Sequence, residues 1–241
     1  LGATAIGTTV TAAPGYPELA VKNLAELTGI DFKNSEDLIA ATSDCGAYMT
    51  LSSAIKGLAV KMTKVCNDIR LLASGPRCGL KEINLPQLQP GSSIMPGKVN
   101  PVAAEVANQA SFLAIGLDTT VMLAASAGQL ELNVMEPVIT FALYTQMKVM
   151  TNACDTLRTK LVEGVTANTE RCKDYVMNSI GIVTLLKPHF GYQKCAAIAK
   201  EGYTTGKSLH QIVVDEQHLM TQAEWDATFN TQNLIHPKFV K

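Results

Sequence analysis

The sequence predicts an all-α fold, a bundle of long helices followed by a small C-terminal helical domain. Three observations carry that expectation. Leu51, Ile55, Leu58, Met62, Val65, Ile69 and Leu72 follow alternating steps of four and three, the spacing of a coiled-coil-type seam between long parallel or antiparallel neighbours. The stretch from Pro101 to about Gly128 has Glu105 and Asp118 as its only charges, and a helix apolar all round belongs in the middle of an assembly. No segment sustains strand alternation for long. The bundle is expected over residues 1–165 and the small domain over 166–241.

Taken in order, Glu18 to Thr28 reads as a short amphipathic helix stopped at Gly29. "SEDL" opens the next element, with Ser35 in an N-cap position and acids in the first turn. The seam helix spans about Thr50 to Ser74 and ends at "SGP". After irregular sequence, Asn100 as cap and Pro101 at the first helical position start the next helix. Val106, Ala110, Leu113, Leu117, Val121 and Ala124 are its expected contact face. A third long helix is expected from about Asn133 to Val165, with Pro137 near its start. Beyond "GVTANTERC" the segments shorten and break at Pro188, Gly191, Gly206 and Pro237, and "IGIVTLL" fits strand or helix.

Composition narrows the function. The 241 residues are 47% hydrophobic, 17% charged and 5% aromatic, with net charge -1. Nucleic-acid binding asks for a concentrated basic face and often aromatic platforms, and neither is present. No uninterrupted apolar run approaches the ~18 residues of a membrane span, and the start shows no signal-peptide pattern. Six scattered cysteines form no C-x-x-C pair, and the four histidines lie far from any cysteine pair, so neither a disulfide framework nor a zinc site is expected. The expected chain is soluble and cytoplasmic. It begins at Leu1 without a lead-in, as a processed, truncated or incompletely recorded chain would.

"GSSIMPGKVNP", Gly91 to Pro101, interrupts this apolar pattern. An exposed connection is the plain reading. A phosphate-binding loop fits badly, because five residues separate the glycines where that motif has four, and Val99 replaces its hydroxyl. The chemical reading fits better. Gly91 and Gly97 permit turns that other residues resist, Pro96 and Pro101 stiffen the segment between them, and stiffness with hinges suits a loop that closes over a ligand. Lys98 and Asn100 bring a cation and a neutral donor to the positive end of the next helix, a carboxylate site. The neighbouring serines then serve as donors or, deprotonated, as a base.

This loop resembles, without a break, the signature of the fumarase/aspartase superfamily. "LGATAIGT", "TSDCGAY", "NDIRLLASGPRCGL", "EINLPQLQPGSS", "AGQLELNVMEP" and "NSIGIVT" extend the resemblance almost end to end. "ELNVMEP", "TANTERC", "SIGIVT" and "NLIHP" are more similar to the aspartate ammonia-lyase branch than to class II fumarases. The resemblance implies a homotetramer with a twenty-helix central bundle, active sites shared between subunits, a small dicarboxylate substrate and no organic cofactor. It implies reversible β-elimination of ammonia from L-aspartate through an enediolate (aci-carboxylate). By position Ser92 is the base, and Ser93 and Lys98 contact carboxylate oxygens, with loop stabilisation the alternative for Ser93. Asn100 helps hold the substrate. Glu105 matches an acid that pairs with an active-site histidine in fumarases; a first-turn acid favoured by the dipole is the alternative. Fumarate hydratase and a non-catalytic scaffold of the same superfamily are the rival readings. In "LGATAIGT", Gly2 and Gly7 allow close helix or ligand approach, with packing the plainer role, and His189 is given no chemistry. Two further site segments of the superfamily lie upstream of "LGATAIGT", so this chain alone is expected not to turn over aspartate. No metal-ligand cluster is legible.

Overall fold

The computed structural model describes residues 1–91 and 94–236. It divides into two compact units, Leu1–Thr166 and Ala167 onward. In the first, the order is α1 (Tyr16–Thr28), α2 (Leu38–Ser43), α3 (Gly46–Leu72), β1 (Ile83–Asn84), α4 (Val102–Ser126) and α5 (Glu136–Lys160). A 3-10 turn at Val162–Gly164 and the start of β2 (Thr166–Ala167) follow. The two strands are two residues each, and Asn84 Nδ2 donates to Thr166 Oγ1 at 3.3 Å.

Each helix end has a local cause. Gly29 takes a left-handed conformation (φ 72°) past α1, where glycine meets no Cβ penalty. The α2 cap is Asp37 rather than Ser35. Asp37 Oδ1 accepts from the Ile39 and Ala40 N–H groups at 2.9 and 3.0 Å, while the Ser35 hydroxyl donates to the Asp37 carbonyl. A carboxylate facing first-turn N–H groups is also favoured by the helix dipole. Helix α4 starts at Val102 with Pro101 as its N-cap residue and no side-chain cap, one position later than expected. Helix α5 starts at Glu136 rather than Asn133, because Asn133 is used to turn the chain. Its Nδ2 donates to the Ala124 and Ala125 carbonyls at 3.1 and 3.2 Å, its Oδ1 accepts from Met135 N, and its own N–H donates to Thr42 O. One buried side chain thus satisfies the end of α4 and sets the start of α5.

Helix α4 packs antiparallel to both α3 and α5. Asn67 pairs with Asn108 and Lys56 with Asp118, so position falls along α3 as it rises along α4. The buried side chains of α3 are Ser52, Ala59, Met62 and Cys66. With half-buried Ile55 and Ile69 they step three and four; Ile55, Met62 and Ile69 of the expected seam thus face inward, while three other members are displaced by one position, to Ser52, Ala59 and Cys66. Leu51, Leu58 and Val65 of that seam stand 44%, 47% and 50% exposed. In α4 the expected Val121 and Ala124 are buried and Ala110 and Leu117 half-buried, whereas Val106 and Leu113 face outward and Ala107, Ser111 and Ala114 take the inner side. Small residues win the inner seam because they let helix axes approach closely. Helix α4 is long and apolar enough, by composition, to cross a membrane. Its middle nevertheless carries an ion pair to Lys56, and it packs along α3 and α5.

A polar layer divides the core. Ser52, Asp118 and Gln146 are buried between an apolar cluster around Ala59, Ala107 and Met150 and another around Val121, Ile139 and Leu143. The Ser52 hydroxyl donates to Asp118 Oδ1 at 2.8 Å and stands 3.1 Å from Gln146 Oε1, and Gln146 Nε2 donates to the Ala114 carbonyl at 2.9 Å. Burial pushes the Asp118 carboxyl up. The hydrogen bonds from Lys56, Ser52 and Ser53, with the Lys56 charge, outweigh that and hold it below its ordinary value.

The second unit comprises α6 (Thr169–Met177), a 3-10 segment at Ile180–Leu186, α7 (Lys187–Thr205), a π-helical turn at Gln211–Glu216, α8 (Gln222–Thr228) and α9 (Thr231–Ile235). "IGIVTLL" is therefore 3-10 helix. Pro188 begins α7, Gly191 (φ 72°) kinks it and Gly206 (φ 73°) ends it. The unit has its own core of Leu186, Ile198, Leu209, Ile212, Val213, Met220, Trp225 and Phe229.

Candidate active site

The loop 91–101 leads directly into the N-terminus of α4. Ser92 and Ser93, expected as base and carboxylate contact, lie outside the described residues. The remaining candidates are described. Lys98 is exposed, Asn100 half-buried, and Glu105 half-buried in the first turn of α4. The Glu105 N–H donates to the Pro101 carbonyl at 3.0 Å, closing that turn. The N–H groups ahead of it have no partner within the helix and form its positive pole. Lys98 and Asn100 thus lie three residues or fewer before Pro101, the N-cap residue of α4.

The loop is folded back on itself. Asn100 Nδ2 donates to the Gly91 carbonyl, and Lys98 N donates to the Met95 carbonyl at 3.4 Å. Gly97 is left-handed, φ 80°. Gly91 is required for a different reason, since a Cβ there would collide with the Lys98 backbone carbonyl. The sequence marked both glycines as turn residues, and the structure separates a conformational need at 97 from a close approach at 91. Asn100 spends an amide hydrogen inside the loop instead of capping α4. That part of its role was missed, and no sequence spacing signals it.

The opening segment behaves as packing. A Cβ on Gly7 would strike the α2 backbone at Ile39, and one on Gly2 would come within 2.9 Å of Tyr16 and Pro17. An open cavity of about 360 Å³ lies between this segment and the start of α1 and α2, bordered by Thr9, Pro14, Glu18, Asn34 and Glu36. No described residue of the 91–101 loop lines it. Among the described residues, no three His, Cys, Asp or Glu side chains converge as a metal site. His189 sits in the first turn of α7, 6.2 Å ring to ring from Phe190.

Residues 1–116 match the family model described as Lyase, and residues 182–236 match Fumarase C C-terminus. The chain is 57% identical to aspartate ammonia-lyase of Escherichia coli strain K12 over 239 residues, 99% of this chain and 50% of that one. The chain belongs to the fumarase/aspartase superfamily. A second aspartate ammonia-lyase, from Helicobacter pylori strain 26695, is 52% identical over all of this chain and 51% of its own length. Among solved structures, fumarate lyase:delta crystallin from Brucella melitensis superposes with a TM-score of 0.89 at 42% identity, covering 95% of this chain and 49% of that one. Class II fumarase from Schistosoma mansoni also gives 0.89, at 32% identity, covering 98% and 52%. The chain spans about half the length of the curated relatives it matches. The superfamily, the long-helix fold and the likeness to its aspartate ammonia-lyases agree with the sequence reading.

Proposed function

We propose that this chain serves an aspartate ammonia-lyase, the carbon–nitrogen lyase that interconverts L-aspartate with fumarate and ammonia. One observation carries the reading. The signature loop is seated at the N-terminus of α4 in a chain 57% identical to such an enzyme along 99% of its length.

The difficult step is removing a proton from Cβ, beside a carboxylate that acidifies it weakly. In the proposed mechanism the Ser92 oxygen, as alkoxide, takes that proton. The C–H electron pair moves into the adjacent carboxylate, giving an enediolate with two negative charges on its oxygens. Lys98, Ser93 and the positive end of α4 stabilise that charge where it develops, and Asn100 helps hold the substrate. The pair then returns to form the Cα–Cβ double bond as the Cα–N bond breaks, and nitrogen leaves as ammonia with its electron pair. A serine alkoxide needs the same cationic surroundings to form at neutral pH. Glu105, in the first turn of α4, is assigned the pairing with an active-site histidine of another segment that the family resemblance implies.

The proposal includes a homotetramer in the cytoplasm. Exposed Leu51, Leu58 and Val65 on α3, with Val106 and Leu113 on α4, support association. It also includes inactivity of these 241 residues alone. Turnover of aspartate by the purified 241-residue chain would defeat that part. Ser92→Ala in the full-length enzyme should lower kcat by about 10²–10⁴-fold with the fold unchanged, read by fumarate absorbance and circular dichroism; retained activity puts the base elsewhere. The likeness to a class II fumarase keeps fumarate hydratase as the second reading. Comparing fumarate formation from aspartate and from malate separates the two.

A further inference from the structure

We propose that His210 is a proton-operated clip in the C-terminal unit. In its doubly protonated form it ties the π-helical turn at Gln211–Glu216 to α8, and the tie is released as the pH rises. The contacts on both sides of the ring carry this reading. His210 Nε2 stands 2.8 Å from Gln222 Oε1. The Gln222 amide is held in that orientation, because its Nε2 donates to Asp226 Oδ1 at 2.9 Å. On the other side His210 Nδ1 lies 3.3 Å from Asp215 Oδ2. An amide oxygen and an ionised carboxylate are acceptors only. A neutral imidazole has one N–H and serves one of them, leaving the lone pair of its other nitrogen turned toward an oxygen. The imidazolium serves both.

The local winding makes the arrangement possible. In an α-helix residue i+5 points well away from residue i. Here the turn closes at i→i+5, with Gln217 N donating to the Ile212 carbonyl at 2.9 Å, and Asp215 comes round beside His210. Leu209, Ile212 and Val213 of the same stretch are buried in the core of the unit, so the turn that the clip holds is packed on that core. Asp215 from the π-helical turn, and Asp226 behind Gln222 on α8, are the charges on this side of the ring. Around them Lys207 pairs with Glu216 at 2.7 Å, and Gln217 engages both Lys194 and Glu201. Glu224 accepts from Thr221 and faces His189, and His218 Nδ1 meets the Val214 carbonyl. The folded unit thus holds a proton at His210 that the unfolded chain has no matching acceptors to hold. The tie is therefore present in mild acid and lost as pH rises through about 5 to 8, where imidazole changes charge.

The test is amide hydrogen exchange of the full-length chain, read by mass spectrometry over 209–226 at about pH 5.5 and about pH 8. Rates are divided by the intrinsic exchange rate at each pH and compared with those of α3 in the same sample. In the parent, protection over 209–226 should fall about fivefold between the two, the weight of one lost hydrogen bond, with α3 unchanged. His210→Phe should give the same protection at both. Asp215→Asn keeps the ring and the shape but offers an amide that suits a neutral imidazole, and should shrink the difference below about twofold. His218→Asn, at the other histidine of this stretch, should keep the parent's fivefold response. Equal protection of the parent at the two pH values overturns the clip. So does a full response surviving in His210→Phe or in Asp215→Asn, or one abolished by His218→Asn. Should His210→Phe fail to fold, the Asp215→Asn and His218→Asn pair decides the matter.

Discussion

In the C-terminal unit the fully buried positions are large: Leu186, Ile198, Ile212, Val213 and Trp225 are all at most 2% exposed. In the bundle most are small or polar, with Ala59, Cys66, Ala104, Ala114, Ala142, Ser52 and Ser111 equally hidden while Leu51, Leu58, Val106, Phe112, Phe141 and Tyr144 face outward. The C-terminal unit spends its apolar bulk on itself. The bundle uses its least bulky residues to draw three helices together and keeps large ones on its outer faces. Burial of side chains that size is worth about 1.5–3 kcal/mol each, so the outer faces hold stabilisation that only another surface can realise. The bundle also places Asp118, Lys56, Ser52 and Gln146 across its middle, where slippage of one helix would leave buried polar groups unpaired.

The comparison can be broken at its strongest point first. Trp225 is buried, stacked on Phe229 at 4.0 Å and met edge-on by His210. Trp225→Ala should cost about 3–5 kcal/mol, with amide hydrogen exchange rising across 180–229 and little in α3–α5. Equal loss of protection in the bundle would show that the two cores are not separate.

Asp118→Ala should cost about 2 kcal/mol, because Ser52 and Lys56 lose a charged acceptor within the core. The pH dependence has a definite sign. The Asp118 carboxyl is held below its ordinary value, so it contributes stability above the ordinary aspartate pKa of about 3.9, and the contribution is lost as pH falls through its lower folded value. Urea midpoints at about pH 7 and pH 3 should therefore converge between parent and variant at the acid end. A constant difference would remove Asp118 from the account.

The smallest intrinsic effect sharpens the comparison most. Leu58→Gln should change the stability of the helical unit by no more than about 0.5 kcal/mol, yet lower the association state seen by sedimentation. Its neighbour Ala59, fully buried, should not tolerate enlargement, and Ala59→Leu should cost about 1–3 kcal/mol. If the two positions respond alike, the inner seam has been assigned to the wrong stripe.

Much of this architecture is legible in residue order. Steps of three and four announced a bundle, Gly29 and Gly206 marked helix ends, and the polar loop announced its place before a long apolar helix. The errors are instructive. The seam read from steps of four and three held at Ile55, Met62 and Ile69 and failed at Leu51, Leu58 and Val65, where close packing favours the small side chains one position over. Ser35 and Asp37 can both cap, and the choice went to the carboxylate whose Oδ1 reaches two N–H groups. Asn100 and Asn133 both read as helix-start residues, and both are taken by other partners, the Gly91 carbonyl of the same loop and the end of α4.

The sequence by itself determined the helical class, the family likeness and the identity of the groups in the loop, because periodicity and motif are local properties of the chain. Only the tertiary structure decided which stripe of each helix turns inward and which buried amide serves which carbonyl. Those outcomes depend on distances between residues far apart in sequence, and several residues of equal local merit compete for each place.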